Sequence, residues 1–559
     1  MNFIELNKKI VIMLFFAMFI FLNSKITYAA TYYMPDDFAN LQAAMSGMTS
    51  GDELIIRDGT YTGEKNIIDA WHLPPNGLVN NHTIFRAEHP GSVVFDGEDA
   101  NTMFYGNDIE YITFQGIIWG NTPGNCIYLV RANHIKLQKC GVYNSGGQNS
   151  GIAFHTCSYI LVEDTYVWGH FFYGINPYHS DHIVLRRMVI RIDRGEGPWL
   201  AAFSIYGSSD VEVQDCIAID ADQAQYYDGP GDVYGFYNPN NGDGTDRANY
   251  RGCISLNIQA PPNGNDEAGY SGVISEDCHD FVFENCIFYN NGRGLWDRSR
   301  SSDFNHCNFG KKDSEYGWAS IVRPKDVNNS IIITSKVAGI ESGTGISDYN
   351  CFYGNVANYK STPIGTHDYC SENSNAIDPI DGNPGNGIPA LKYLVRIEDG
   401  SNLDGTASDG GDRGATIIKR MGKSGTFWGE PGCNLLQDGT NGQADENLWP
   451  FPNEDIIRQH MRAYSYDNGN LSGARGFCTG TSMGGSPQTL TKYIWEYLGN
   501  PIPPEIYGSQ QQNTPPVANA EADPTVTDSD NNGSEEVTLD GSASYDQDGS
   551  ITSYVWSEN

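Results

Sequence analysis

From about Tyr111 to Cys307 the chain repeats one short apolar-polar alternation. Its copies are Tyr111-Ile-Thr-Phe, His134-Ile-Lys-Leu, Tyr159-Ile-Leu-Val, His182-Ile-Val-Leu, Asp210-Val-Glu-Val and Asp280-Phe-Val-Phe. A period of two predicts strands with one face inward. A further inward position follows five residues after the first apolar residue, filled in successive copies by Ile117, Cys140, Thr165, Met188, Cys216, Cys253, Cys286 and Cys307. A constant frame with inserts of variable length is the mark of a solenoid. Each copy offers two short strands and a bend; in the His182 copy Ile183 and Leu185 point in, Arg186 and Arg187 turn, and Met188 and Ile190 point in. Asn121, Asn144, Asp220, Asn257 and Asn290 stand four residues after the inward position, where Asn and Asp tolerate left-handed backbone and can bond along a stack of turns. Asp220 therefore has a structural reading.

The same alignment reads the charges. Lys139, Asp164, Arg187 and Asp215 share the bend position, Glu163 precedes Arg186 by one copy, and a second column runs Asp210, Arg247, Asp280. The pattern predicts ion pairs between rungs, each of small worth if exposed. A third strand per rung starts at Cys126, Gly151, Gly174, Ala202, Gly235 and Gly294. Its outward positions collect Tyr128, His155, Asn176, Tyr178, Tyr206, Tyr237 and Trp296, and half-exposed rings on a rigid sheet suit stacking on sugars. The rungs between Cys216 and Cys286 swell with acidic, Gly-rich inserts, and long loops on a regular scaffold are where function concentrates. Asp222, Asp228, Asp232, Asp243 and Asp246 are the candidate calcium ligands there.

Ahead of the repeat, Asp36 to Met45 has helical spacing and predicts a helix that caps the first core layer. Asp52-Glu-Leu-Ile-Ile-Arg-Asp58-Gly59-Thr-Tyr then reads as a strand and a turn. This capping helix, that segment and the Cys/Asn-punctuated repeats together resemble the right-handed parallel β-helix of the pectate-lyase-like superfamily, over roughly residues 31–360. The resemblance implies an all-β fold and a superfamily that hosts many activities on glycans. Tyr173-Gly-Ile-Asn176-Pro177-Tyr178-His179 is similar to the Tyr-Gly-Phe-Asp-Pro-His segment of alginate epimerases and related lyases. Here Asn176 replaces that family's aspartate and Tyr178 its histidine, with His179 next to it.

Beyond about Thr362 the repeat fades. Residues 390–508 predict an α+β module closing the open end of the solenoid, with helical segments from Leu448 and from Leu490. A linker, 509–516, leads to Val517–Asn559, where Leu539-Asp-Gly-Ser-Ala-Ser-Tyr-Asp546-Gln-Asp548-Gly resembles the first half of a PKD-type β-sandwich. The predicted domains are thus 1–29 as signal peptide, 30–389 as β-helix, 390–508 as C-terminal module, 509–516 as linker and 517–559 as a partial sandwich.

Lys8 and Lys9, an apolar run from Ile10 to Leu22 and Thr27-Tyr-Ala29 mark the signal peptide, so the mature protein is expected to be secreted, with no membrane span and as a monomer. A formal net charge of −35 argues against nucleic acid as a partner. Twelve cysteines in an exported chain suggest disulfides, yet Cys140, Cys216, Cys253, Cys286 and Cys307 occupy a core column, which favours reduced thiols. Cys433 and Cys478 are the better candidates for a bridge. The expected partner is an extracellular polysaccharide, cleaved by a lyase or a hydrolase; a non-catalytic carbohydrate-binding or adhesion protein is the alternative. For the chemistry, Arg298 would neutralise a uronate carboxylate, His179 or Tyr178 would move protons, and Asp297 is a hydrolase-type carboxylate or a partner for Arg298.

Overall fold

The computed structural model describes residues 29–508 except 147, 196–198, 222–224, 227–231, 240–245, 260–270, 277, 311–318, 382–386, 464–465, 468–469 and 472–474, together with 521–522 and 539–540. Residues 1–28, within the segment expected to be a signal peptide, and nearly all of the segment expected to be a partial sandwich fall outside these residues. Two compact units are distinguished, Met1–Asn500 and Pro501–Asn559. In the second, Glu521–Ala522 pairs antiparallel with Leu539–Asp540.

The first unit is a right-handed parallel β-helix whose three parallel sheets have 12, 13 and 11 strands among the described residues. Successive rungs stack in register: Ile135 lies over Ile112 and under Ile160, which lies under Ile183. Like side chains therefore stack inside, and the Phe283 ring sits 4.5 Å from Tyr250 and 4.6 Å from Phe304. The bend after the first sheet is left-handed at Gly116, Lys139, Asp164, Arg187, Asp215, Gly252 and Asn285. Such backbone costs a non-glycine residue roughly 1–2 kcal/mol, which stacking of every rung on the next offsets. The asparagine ladder is present: Asn144 Nδ2 donates to Asn121 Oδ1 at 2.9 Å, and Asn257 Nδ2 donates to Asp220 Oδ1 at 2.8 Å.

The capping helix is shorter than the pattern predicts. It spans Leu41–Gly47 and is capped by Asn40, whose Oδ1 accepts from the Ala43 N–H. Asp36 is outside it and pairs with Arg57. All twelve cysteines are buried and free, Cys433 and Cys478 included.

The segment after residue 390, expected to pack on or after the solenoid and close its end, runs back along the bends. The Gly414 N–H donates to Asn329 O, Ala415 to Asn308 Oδ1, Met421 to Asp215 Oδ2 and Gly425 to Glu163 Oε2. The chain then reaches His134, whose ring lies 5.2 Å from Phe427. Polar groups exposed by the left-handed bends gain partners from this strap, which a bare solenoid would have left to water.

The strap also changes the ion pairs. The charge column is present, but Arg186, Arg187 and Glu163 are fully buried beneath it. Arg186 donates to Gln214, Glu163, Lys423 O and Cys433 O; Arg187 donates to Asp164, Glu163 and Ser424. Burial alone would raise the Glu163 carboxyl, but the two guanidiniums more than reverse that and hold it low. Such a network is costly to break by halves, by about 3–5 kcal/mol, unlike an exposed pair. Arg247 and Asp210 do form the exposed pair expected of them, at 2.8 Å.

Candidate functional site

The outer face of the third sheet carries the candidate residues. Its register divides them into two columns, not the single row that the strand starts suggest. The first column runs Tyr105, Tyr128, Ala153, Asn176, Ser204, Tyr237, Ile274, Trp296. The second, two residues further along each strand, runs Asn107, Val130, His155, Tyr178, Tyr206 and then, across Pro239, Glu276 and Arg298.

The columns complement each other. Where the first holds only Ala153, Asn176 and Ser204, the second holds rings: His155 stacks on Tyr178 at 5.2 Å, and Tyr178 lies 5.0 Å from Tyr206. These three rungs, small in the first column and aromatic in the second, form the trough, a step whose floor is covered: Ala153 is 7% exposed and Ser204 0%. Two polar atoms in this floor, Asn176 Oδ1 and Ser204 Oγ, are buried and have no hydrogen-bond partner among the described residues. The trough opens at one end on the Tyr105 and Tyr128 rings, 5.6 Å apart.

At the other end the face becomes charged. Glu276 pairs with Arg298 and accepts from the Tyr237 hydroxyl at 3.4 Å. Its side chain keeps 21% exposure. Arg298 and Arg293 flank the Trp296 ring, at 4.1 and 4.6 Å from its centre. Burial, and then the Glu276 charge, raise the Tyr237 hydroxyl far above its ordinary value, so it stays protonated. Burial likewise raises Tyr173, whose ring is 6.1 Å from that of Tyr237, and Tyr206. A carboxylate, a guanidinium and a protonated phenol thus meet beside an indole.

Several expectations need correction. Asp297 is fully buried and accepts the backbone N–H groups of Ser299, Arg300, Ser301 and Ser302, all at 2.8–2.9 Å. It holds a turn and faces no trough, and Arg298 pairs with Glu276 instead. Tyr237 is 6% exposed, covered by a cluster with Tyr173, Ala201, Tyr234 and Ile274. His179 lies at the bend, edge-on to Tyr178 at 4.2 Å and against Gly207. Tyr178 stands four register steps from Arg298, about 19 Å at ~4.8 Å per step, so the proposed proton carriers and the proposed neutraliser are not one site.

Of the candidate calcium ligands, Asp222, Asp228 and Asp243 lie outside the described residues, and so does the side chain of Asp246. Asp232 accepts from the Tyr234 hydroxyl at 2.7 Å. The described residues hold one other cluster of metal-ligand type, Asp58, Glu88 and His89. His89 already contacts Asp58 and Arg57 already pairs with Glu88, and an imidazole does not suit calcium, so this set does not fit that ion.

Sequence reasoning missed Glu276 and the covering Tyr234. Glu276 follows a rung whose insert obscures the frame, and only counting from the inward Val273 would have put it in the second column.

No family model and no curated protein matches the chain. Among solved structures, the A-module of Azotobacter vinelandii mannuronan C-5 epimerase AlgE6 is similar over 59% of this chain and 92% of that one, at 12% identity and TM-score 0.39. Alginate lyase from Paenibacillus sp. str. FPU-7 is similar over 59% and 98%, at 15% and 0.34. The catalytic domain of a GH87 α-1,3-glucanase is similar over 63% and 67%, at 15% and 0.36. At these scores the likenesses bear on neither residues nor activity. No helix among the described residues is long and apolar enough to cross a membrane.

Proposed function

We propose that this is a secreted polysaccharide-acting protein that holds a glycan along the trough of the third sheet and cleaves it at the charged end. The observation that carries the reading is the meeting of Glu276, Arg298 and Tyr237 beside Trp296. Elimination from a uronate needs a base for the C5 proton, a cation to stabilise the developing carbanion, and a proton for the departing oxygen. Glu276 would take the C5 proton as the C4–O bond breaks. Arg298 would turn from Glu276 to the uronate carboxylate, and Tyr237, kept protonated, would donate to the leaving oxygen. The wall of His155, Tyr178 and Tyr206 would bind neighbouring sugars by stacking.

The test is incubation with uronate and neutral polysaccharides, with and without calcium. Ultraviolet absorbance of unsaturated ends identifies a lyase, and new reducing ends alone a hydrolase. Glu276→Gln should lower turnover about 10²–10⁴-fold while leaving polysaccharide binding in place. Unchanged turnover would remove Glu276 from the chemistry. A non-catalytic binding protein is the second reading, favoured by the closed Glu276–Arg298 pair and by a ring wall longer than chemistry requires. Binding without any product would establish it for the glycans tried.

A further inference from the structure

Trp71 is the most exposed large apolar side chain among the described residues, at 89%, and Val79 and Leu78, on a neighbouring turn, are 68% and 60% exposed. Removing such surface from water is favourable, so an indole left in the open is an unused contact area. The turn is held, not loose. The Trp71 and His72 N–H groups both donate to Asp69 Oδ1 at 2.8 Å, and the His72 ring contacts the same oxygen at 3.0 Å. Leu78 and Asn81 close a second turn, and Gly77 lies so near Tyr111 O that a side chain would not fit there.

Its place in the fold gives the exposure a direction. Ile68 pairs with Phe104, so Asp69 lies beside Tyr105 at the N-terminal edge of the third sheet's outer face. Trp71 lies two residues beyond Asp69, past that edge. The order along the face is then Trp71, Tyr105, Tyr128, the trough, and the charged end.

Resting on the reading of that face as a glycan site, we propose that Trp71 is the distal platform of the same site, and that the glycan lies parallel to the solenoid axis. Five register steps separate the Ile68 rung from the Phe203 rung that carries Tyr206, about 24 Å at ~4.8 Å each. A pyranose repeat is of similar length to one step, so only a chain of several sugars can touch Tyr206 and Trp71 together. Trp71 would then favour long polymers over short oligomers.

The experiment compares affinities of Trp71→Ala, Tyr206→Ala and the parent protein for trimers and for long chains of a polyuronate and a neutral glucan. Trp71→Ala is expected to weaken binding of long chains about three- to tenfold, the worth of one stacked ring, and to leave trimers unchanged. Trp71→Phe should recover part of the loss. Tyr206→Ala should weaken both lengths. Equal affinity of Trp71→Ala and parent for long chains, with Tyr206→Ala weakened, would overturn the platform and keep the glycan site. If the parent binds neither polymer, or Tyr206→Ala matches the parent at both lengths, the glycan reading fails and the platform with it.

Discussion

Asp215 lies at a bend of the first sheet, fully buried under the returning strap, where its Oδ2 accepts the Met421 N–H at 2.7 Å. Arg186 and Arg187 nearby are already engaged by Glu163, Asp164 and Gln214. Burial pushes the Asp215 carboxyl from 3.8 up to about 7, opposed by the Met421 bond and by the guanidiniums of Arg187, Arg186 and Arg420. The folded protein therefore keeps a proton that the unfolded chain releases near 3.8. Its stabilising effect is full below 3.8, is lost as pH rises to about 7, and is flat above. Three units at about 1.4 kcal/mol each make this about 4 kcal/mol. Asp215→Asn cannot ionise and keeps an oxygen for Met421. It should match the parent within about 1 kcal/mol at acid pH and exceed it by up to about 4 kcal/mol above the window. Urea unfolding followed by tryptophan fluorescence, run for both proteins across that pH range, measures the difference directly. Glu163, which is held low and has the opposite sign, is common to both and cancels. A difference that stays constant with pH would refute the reasoning.

Asp297→Asn keeps one acceptor oxygen for four backbone N–H groups, so it should lower stability by about 2–4 kcal/mol and leave turnover per folded molecule unchanged. Lost turnover at an unchanged thermal midpoint would return Asp297 to the chemistry. Burial pushes the thiols of Cys126, Cys140, Cys216 and Cys351 up to about 12, so the native protein should resist a thiol reagent. Denatured without reductant it should titrate all twelve, and a count of ten would mean a disulfide.

The alternation of apolar residues, the inward cysteine position and the Asn/Asp corner were enough to read the solenoid, its rungs and its ladders from the sequence. They repeat at a fixed offset, and stacking turns a fixed offset into contact between neighbours. That is why the sequence alone puts Glu163 under Arg186 and Asp210 under Arg247. Distance along the axis was not legible in the same way. Strand starts alone put Tyr128 and His155 in one row, although register sets them two residues apart, in different columns.

Three matters belonged to the tertiary structure alone. The strap that turns exposed ion pairs into a buried network comes from residues more than 200 positions away, whose sequence shows no repeat to align. The role of Asp297 rests on four N–H groups converging on it, which follows from the turn's path and not from residue type. Glu276 meets Tyr237 and Arg298 across three successive strands of the third sheet. Sequence determined what stacks on what, because local period alone dictates it; the tertiary fold decided which groups are covered and which face each other, because burial and convergence depend on where distant chain returns.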